Sequence, residues 1–117
     1  MGRKDITVVI LNWNGAQMLR RFLPSVIRCS PEACVVVADN GSTDESLQML
    51  GKNFPQVGIM AFERNYGFAE GYNKAIRQVK TPYAVLLNDD VEVTSDWLQP
   101  LYAFMENHKE VAACQPK

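Results

Sequence analysis

Five short apolar runs alternate with stretches of helical period, and this rhythm constrains the fold more than any other feature of the chain. The runs are residues 6–11, 34–38, 57–62, 83–87 and 111–114. The first, second and fourth are nearly unbroken in Val, Ile, Leu and Ala, the pattern of strands buried on both faces. The third and fifth are weaker and are expected nearer an edge. Between the runs, Leu19, Phe22, Leu23, Val26 and Ile27 make one apolar stripe of a helix. Pro24 falls inside that stripe and is expected to kink or divide it. Ser42-Thr43-Asp44-Glu45 reads as a capping box that opens a short helix carrying Leu47 and Leu50. Phe68, Tyr72, Ala75, Ile76 and Val79 make a third stripe, and Leu98, Leu101, Tyr102 and Met105 a fourth. Ser95 or Asp96 is the expected cap of the last helix, with Pro100 near its tolerated first turn. Strand and helix in alternation predict an α/β fold: three αβα layers around a mostly parallel, Rossmann-like sheet with right-handed crossovers.

Composition narrows the classes of function. The chain has 117 residues with a formal net charge of −1, 47% hydrophobic and 21% charged. That is the balance of one globular domain with a real core. No Lys/Arg run is present, which argues against nucleic acid as the main partner. No apolar run approaches the ~20 residues that span a bilayer. Arg3 and Lys4 ahead of residue 6 imitate the start of a signal peptide, but Asn12 interrupts the run and no small-residue cleavage site follows. Ile6 stands where a myristoylation pattern beginning at Gly2 requires Ser or Thr. Cys29, Cys34 and Cys114 are odd in number and lack metal-like spacing. They read as reduced, inert core thiols of a cytosolic chain. His108 reads as a solvated side chain.

Polar residues gather after the strands. Asn12, Trp13 and Asn14 follow the first run, Asp39 and Asn40 the second, Glu63, Arg64 and Asn65 the third, and Asn88, Asp89 and Asp90 the fourth. In a parallel sheet these four loops share one edge, the edge where open α/β sheets bind ligands. Two adjacent carboxylates repel, and a divalent cation such as Mg²⁺ or Mn²⁺ offsets them while bridging to phosphates. A solvated Asp pair at a turn is the bland alternative. Asp39 at a strand end can accept a hydrogen bond from the ring N–H of a base, or it can belong to a plain strand-to-helix turn. Trp13 offers a face for a base, or it is an ordinary half-buried aromatic. Gly67 and Gly71 flank a helix start where a phosphate could approach backbone N–H groups. Tight packing explains the same glycines.

Four segments together resemble a known family. They are Ile-Thr-Val-Val-Ile-Leu-Asn-Trp-Asn, Val-Val-Val-Ala-Asp-Asn-Gly-Ser-Thr-Asp, Asn-Tyr-Gly-Phe-Ala-Glu-Gly-Tyr-Asn and Leu-Leu-Asn-Asp-Asp-Val-Glu-Val. In this order and spacing they are similar to family 2 glycosyltransferases of the GT-A fold, rhamnosyltransferase-like members above all. The resemblance implies inverting transfer of a sugar from a nucleoside diphosphate donor, with Mg²⁺ or Mn²⁺, in the making of cell-surface polysaccharide. It gives Trp13 the position of the aromatic that packs on the base and Asp39 that of the carboxylate that binds it. Asn88-Asp89-Asp90 matches the Asp-x-Asp motif, with Asp90 meeting the metal and Asn88 standing where an Asp usually contacts the ribose. Asn65 and Asn73 match polar positions near the donor. The nucleotide-binding set is then Trp13, Asn14, Asp39, Asn65, Asn73, Asn88 and Asp89, with Asp90 as metal ligand and no catalytic base assigned.

The same resemblance implies a UDP-, dTDP- or GDP-sugar donor and a glycan or lipid-linked acceptor. It places the protein in the cytoplasm, at the cytoplasmic face of the membrane in the full-length form. Family members are longer, so residues 1–117 are expected to be a truncated donor-binding domain without the acceptor half. Such a chain should bind donor without transferring it and should tend to homo-oligomerise. A non-catalytic binding module with the same fold is the alternative. A signalling receiver domain fits poorly, because its acidic pair follows the first strand rather than the fourth.

Overall fold

The computed structural model describes residues 4–114, so Gly2 and Arg3 lie outside the described residues. Four strands, β1 (Ile6–Asn12), β2 (Cys34–Asp39), β3 (Gly58–Ala61) and β4 (Tyr83–Asn88), form one parallel sheet in the order β3-β2-β1-β4. Helices α1 (Ala16–Cys29), α2 (Ser46–Asn53), α3 (Phe68–Gln78) and α4 (Gln99–Asn107) connect or follow them. The expected α/β architecture is present, with helices on both faces of the sheet.

Two cores sit on the two faces because strand side chains alternate. On one face Ile6, Val8 and Ile10 of β1 and Val37 of β2 pack against Leu19, Leu23 and Val26 of α1 and Met49 and Leu50 of α2. Leu98, just ahead of α4, closes the same cluster. On the other face Val9 and Ala38 pack against Tyr72 and Ala75 of α3. Register makes the strand ends level: Asn12 lies opposite Asp39, and Leu11 opposite Asn88. Three of the polar clusters therefore emerge at one height.

Several expectations need correction. Residues 111–114 form no strand; Ala112, Ala113 and Cys114 line the same concavity as residues 83–87 of β4, and the N–H of Val111 turns back to the carbonyl of His108. A four-residue apolar run carries too little pattern to separate strand from loop. β4 is itself an edge strand covered on one face. Tyr83, Val85 and Leu87 pack into the first core, but Leu86 is 46% exposed because α3 lies over β1 and β2 instead. α1 runs undivided through Pro24. Pro24 and Arg20, whose carbonyl loses its partner there, are both exposed, so water can satisfy the freed group.

α2 starts at Ser46 rather than at a capping box, because the Ser42 hydroxyl is committed to Asp39. α4 starts at Gln99, later than a cap at Ser95 or Asp96 would place it, with Pro100 in the first turn as expected. The cysteines are free, but Cys34 and Cys114 are exposed rather than core, Cys34 because it opens β2 at the rim of the sheet. His108 is exposed and stacks on Phe104.

No helix among the described residues is long and apolar enough to cross a membrane. Leu50 is wholly buried, whereas Leu47 on the same helix is partly exposed. Leu50→Ala is expected to cost about 2–5 kcal/mol and Leu47→Ala about 1 kcal/mol or less, read from the midpoints of urea unfolding at constant slope.

Candidate functional site at the strand ends

The loop after β1 is fastened to the loop after β2 by a buried knot. Asn12 is fully buried; its Nδ2 donates to Asp39 Oδ1 at 3.0 Å and to Ser42 Oγ at 3.3 Å. Asn14 takes a left-handed backbone (φ 52°), and its Oδ1 accepts from the N–H groups of Thr43 at 2.7 Å and Asp44 at 3.1 Å. With both neighbours pinned, Trp13 is held out at 53% exposure.

Asp39 is 1% exposed and already takes three hydrogen bonds. Oδ1 accepts from Asn12 and from the Ser42 hydroxyl at 2.7 Å, and Oδ2 from the Ser42 N–H at 3.0 Å. A carboxylate offers about four lone-pair directions, so Oδ2 retains one. Gly41 makes this turn possible. Its φ of 76° is left-handed, and a Cβ there would stand 2.5 Å from the carbonyl carbon of Arg64.

A second knot fastens the β2 loop to the start of α3. Asn40 Nδ2 donates to Asn65 Oδ1 at 3.2 Å and to the Gly67 carbonyl at 3.0 Å, while its Oδ1 accepts from the Tyr66 N–H. Asn65 Oδ1 also accepts from the Gly67 N–H at 2.7 Å. That N–H is thus spoken for within the chain. Gly71 is a packing glycine, since a Cβ on it would come 2.9 Å from Asn40 Nδ2 and 3.1 Å from Leu11. The knots place a cavity of about 290 Å³ between them, lined by Leu11, Trp13, Asn40, Asn65, Gly67, Phe68 and Asp89.

The loop after β4 brings the acidic residues to this cavity. Asp89 is half-buried, and burial first, then the charge of Asp90, raises its carboxyl above the ordinary carboxylate value. It lies against Gly15: an ideal Cβ there would fall 2.2 Å from Asp89 Oδ2 and 2.6 Å from Asn12 Oδ1. A side chain at residue 15 would have to push both oxygens aside. Asn12 Oδ1 is buried and has no hydrogen-bond partner among the described residues. Asp90 and Asn88 are exposed beside this point, with the Tyr72 hydroxyl 2.8 Å from the Leu87 carbonyl and 3.5 Å from Asn88 Oδ1.

These donors fit a hard divalent cation. The paired carboxylates carry an electrostatic penalty that a cation relieves, and the orphaned Asn12 oxygen lies close by. Among the described residues no group of three His, Cys, Asp or Glu surrounds one point. Such a site suits an ion that takes its other ligands from phosphate and water, as Mg²⁺ does.

Of the residues expected in the site, Trp13, Asn65 and Asp89 line the cavity directly. Asp39 lies beneath it, Asn14 latches the loop behind it, and Asn88 and Asp90 stand exposed at the β4 end without lining it. Asn73 is exposed on the second turn of α3, also outside the lining. Phe68 and Asn40 were not on the expected list. Phe68 fits the apolar stripe of α3 by spacing and so looks like core, yet it is 66% exposed at the cavity. Its only sequence signal is its place at the first helical position, directly after Gly67.

The sequence profile of glycosyl transferase family 2 matches residues 7–117. The chain belongs to glycosyl transferase family 2. It is 29% identical over 113 residues to an uncharacterized Bacillus subtilis glycosyltransferase, YfnE, covering 92% of this chain and 29% of the relative. It is 31% identical over 75 residues to the N-acetylglucosaminyl-diphospho-decaprenol L-rhamnosyltransferase of Mycobacterium tuberculosis, covering 63% and 24%. S. aureus TarS (residues 1–349) in complex with UDP-GlcNAc superposes with a TM-score of 0.76 at 24% identity, covering 92% of this chain and 32% of TarS. A mannosyltransferase from Pyrobaculum calidifontis, in complex with GDP-Man and Mn²⁺, gives a TM-score of 0.66 at 20% identity, covering 80% and 30%. The fold is thus that of the GT-A enzymes, and the family 2 chain spans less than a third of each of these proteins.

Asp44 supports the site from behind. Its Oδ2 accepts from the Ala16 N–H at 3.2 Å and its Oδ1 from the Ser46 N–H at 2.9 Å, at the starts of α1 and α2. Burial raises its carboxyl, but the hydrogen bonds from Ser46 and Ala16 outweigh this and hold it below the ordinary 3.8. A depressed folded value gives stability that is complete above the unfolded value and lost as pH falls through the folded one. Asp44→Asn is expected to lower the urea midpoint at pH 7, with the gap closing as pH falls below about 4.

Proposed function

We propose that this family 2 chain is the donor-binding portion of an inverting, divalent-metal-dependent glycosyltransferase, one that uses a nucleoside diphosphate sugar. The observation that carries the reading is a single cavity at the strand ends, walled by exposed Trp13 and half-buried Asp89, with Asp90 beside it. The likeness in fold to TarS with UDP-GlcNAc and to the mannosyltransferase with GDP-Man and Mn²⁺ supports it. UDP-, dTDP- and GDP-sugars are the candidate donors.

Trp13 packs on the base, and the free lone pair of Asp39 Oδ2 accepts from its ring N–H. Asn65 and Asn73 serve as polar contacts, Asn14 holds the Trp13 loop, and Asn88 faces the ribose. Asp90, with Asp89 behind it, holds Mg²⁺ or Mn²⁺. The cation, when bound, offsets charge building on the leaving diphosphate. Asp89 and Glu92 are the carboxylates that flank Asp90 in the loop after β4; Asp89 is placed in the cation loop and Glu92 is two residues further from the strand end, so neither is assigned as the base for the acceptor hydroxyl. Donor binding without transfer by residues 1–117 follows from this inventory. A glycan or lipid-linked acceptor, at the cytoplasmic face of a membrane, is the corresponding proposal for the whole protein, in keeping with the name of the mycobacterial relative.

Calorimetry tests the reading. UDP or GDP is expected to bind at least tenfold more tightly with Mn²⁺ than without, and Asp90→Asn to remove most of that difference. An unchanged Mn²⁺ effect in the variant excludes Asp90 as the ligand. Indifference of the unaltered chain to nucleotide and metal alike points to the non-catalytic module instead.

Fluorescence locates the base. Trp97 is tied to Ser30 Oγ at 2.8 Å and packs against the first core, whereas Trp13 faces the cavity. Trp13→Phe is expected to abolish most of the nucleotide-induced emission change while binding persists. Loss of the change in Trp97→Phe instead would place the base elsewhere.

A further inference from the structure

We infer that Phe68 is a second wall of the nucleobase subsite, facing the same ligand as Trp13 and setting its affinity; this rests on the donor-site reading above. Phe68 and Trp13 come from different elements, yet both line the 290 Å³ cavity, and both are largely exposed, 66% and 53%. A single exposed aromatic is ordinary on a protein surface. Two on one concavity with an apolar floor at Leu11 describe a site for a flat ring.

The backbone that carries Phe68 is held at the lip of the cavity. Gly67 enters the helix with a φ of 83°, and its N–H and carbonyl are fixed by Asn65 and Asn40. The Phe68 ring rests edge-on against Tyr72, with centroids 5.1 Å apart and planes at 81°, and Tyr72 is anchored to the Leu87 carbonyl at 2.8 Å. The fixed backbone and the Tyr72 contact favour this position of the ring, which lowers the cost of ordering a contact on binding. The cavity is smaller than the ~300–1,000 Å³ of whole-ligand pockets. That size matches one ring system of a larger ligand rather than the whole donor. Asp89, on the same lining, marks the side from which the diphosphate and its cation approach. The two aromatics therefore take the base.

The experiment compares two ligands on three proteins in the presence of Mn²⁺: UDP and inorganic pyrophosphate, on the unaltered chain, Phe68→Ala and Phe68→Tyr. Stacking of a base on an aromatic is commonly worth a fivefold to hundredfold change in affinity on removal. Phe68→Ala is expected to weaken UDP by at least fivefold and leave pyrophosphate within twofold, and Phe68→Tyr to restore UDP. Phe68 is exposed, so thermal unfolding of the alanine variant should match the unaltered chain. UDP binding that is unchanged in Phe68→Ala overturns the inference and leaves the donor site standing. Equal losses for UDP and pyrophosphate overturn it too, because they show a structural effect passed through Tyr72 to the β4 end. Failure of the unaltered chain to bind UDP overturns the donor-site reading and this inference with it.

Discussion

A single buried hydrogen-bond cluster, Asn12–Asp39–Ser42, holds the ligand edge of this molecule together. Asn12 and Asp39 are register partners on the two central strands, so their side chains meet where the sheet ends. Burying a carboxylate without partners would be costly. Here three donors supply partners, one from the end of β1 and two from Ser42 in the loop after β2. The Ser42 hydroxyl, in turn, accepts from Asn12 and from the N–H of Asn14. Satisfying Asp39 therefore fixes the Trp13 loop as well. Removing any member takes at least one hydrogen bond from the buried Asp39 carboxylate or from a group that serves it, with a cost of about 1–3 kcal/mol.

The Asn40 knot extends the same logic one loop further. It connects the end of β2 to the entry of α3 and stations Phe68 at the opposite lip of the cavity. Neither knot contributes apolar burial. Their effect is geometric: loops that would otherwise move on short timescales are joined to the most buried strands of the sheet. Rigid elements then position side chains that have few contacts of their own. Trp13 and Phe68 are exposed for this reason, and the exposure is a property of the scaffold rather than of loose loops.

The sheet, its central strands and three of the four polar clusters were legible from residues because β1 and β2 are buried on both sides and carry an unmistakable apolar run. Asn88-Asp89-Asp90 was legible because adjacent carboxylates have few structural reasons to exist. Phe68 was not. Its spacing from Tyr72 is that of a helix stripe, and periodicity cannot tell whether the first turn of a helix lies over the sheet or overhangs its end. β4 misled for a related reason: Val85 and Leu87 face a core and Leu86 does not, yet all three read alike. The starts of α2 and α4 were misplaced because Ser42 and Asp96 have capping chemistry that the fold uses elsewhere, Ser42 in the Asp39 cluster and Asp96 in a left-handed turn. A sequence shows which residues can cap, but tertiary partners decide which ones do.

One place in the structure is unfavourable as it stands, and it lies at the candidate site. Asn12 Oδ1 is buried with no hydrogen-bond partner among the described residues, and a Cβ on Gly15 would touch both it and Asp89. Asp89 is itself raised by burial and by Asp90. Each feature opposes stability, and glycine at residue 15 is what lets the two oxygens approach, since a Cβ there would have to push both aside. Oxygen atoms held together in this way are relieved by a cation, by water or by a proton on Asp89. On the donor-site proposal a metal–diphosphate complex supplies that relief, and stability and affinity are then set against each other at Gly15, Asn12 and Asp89.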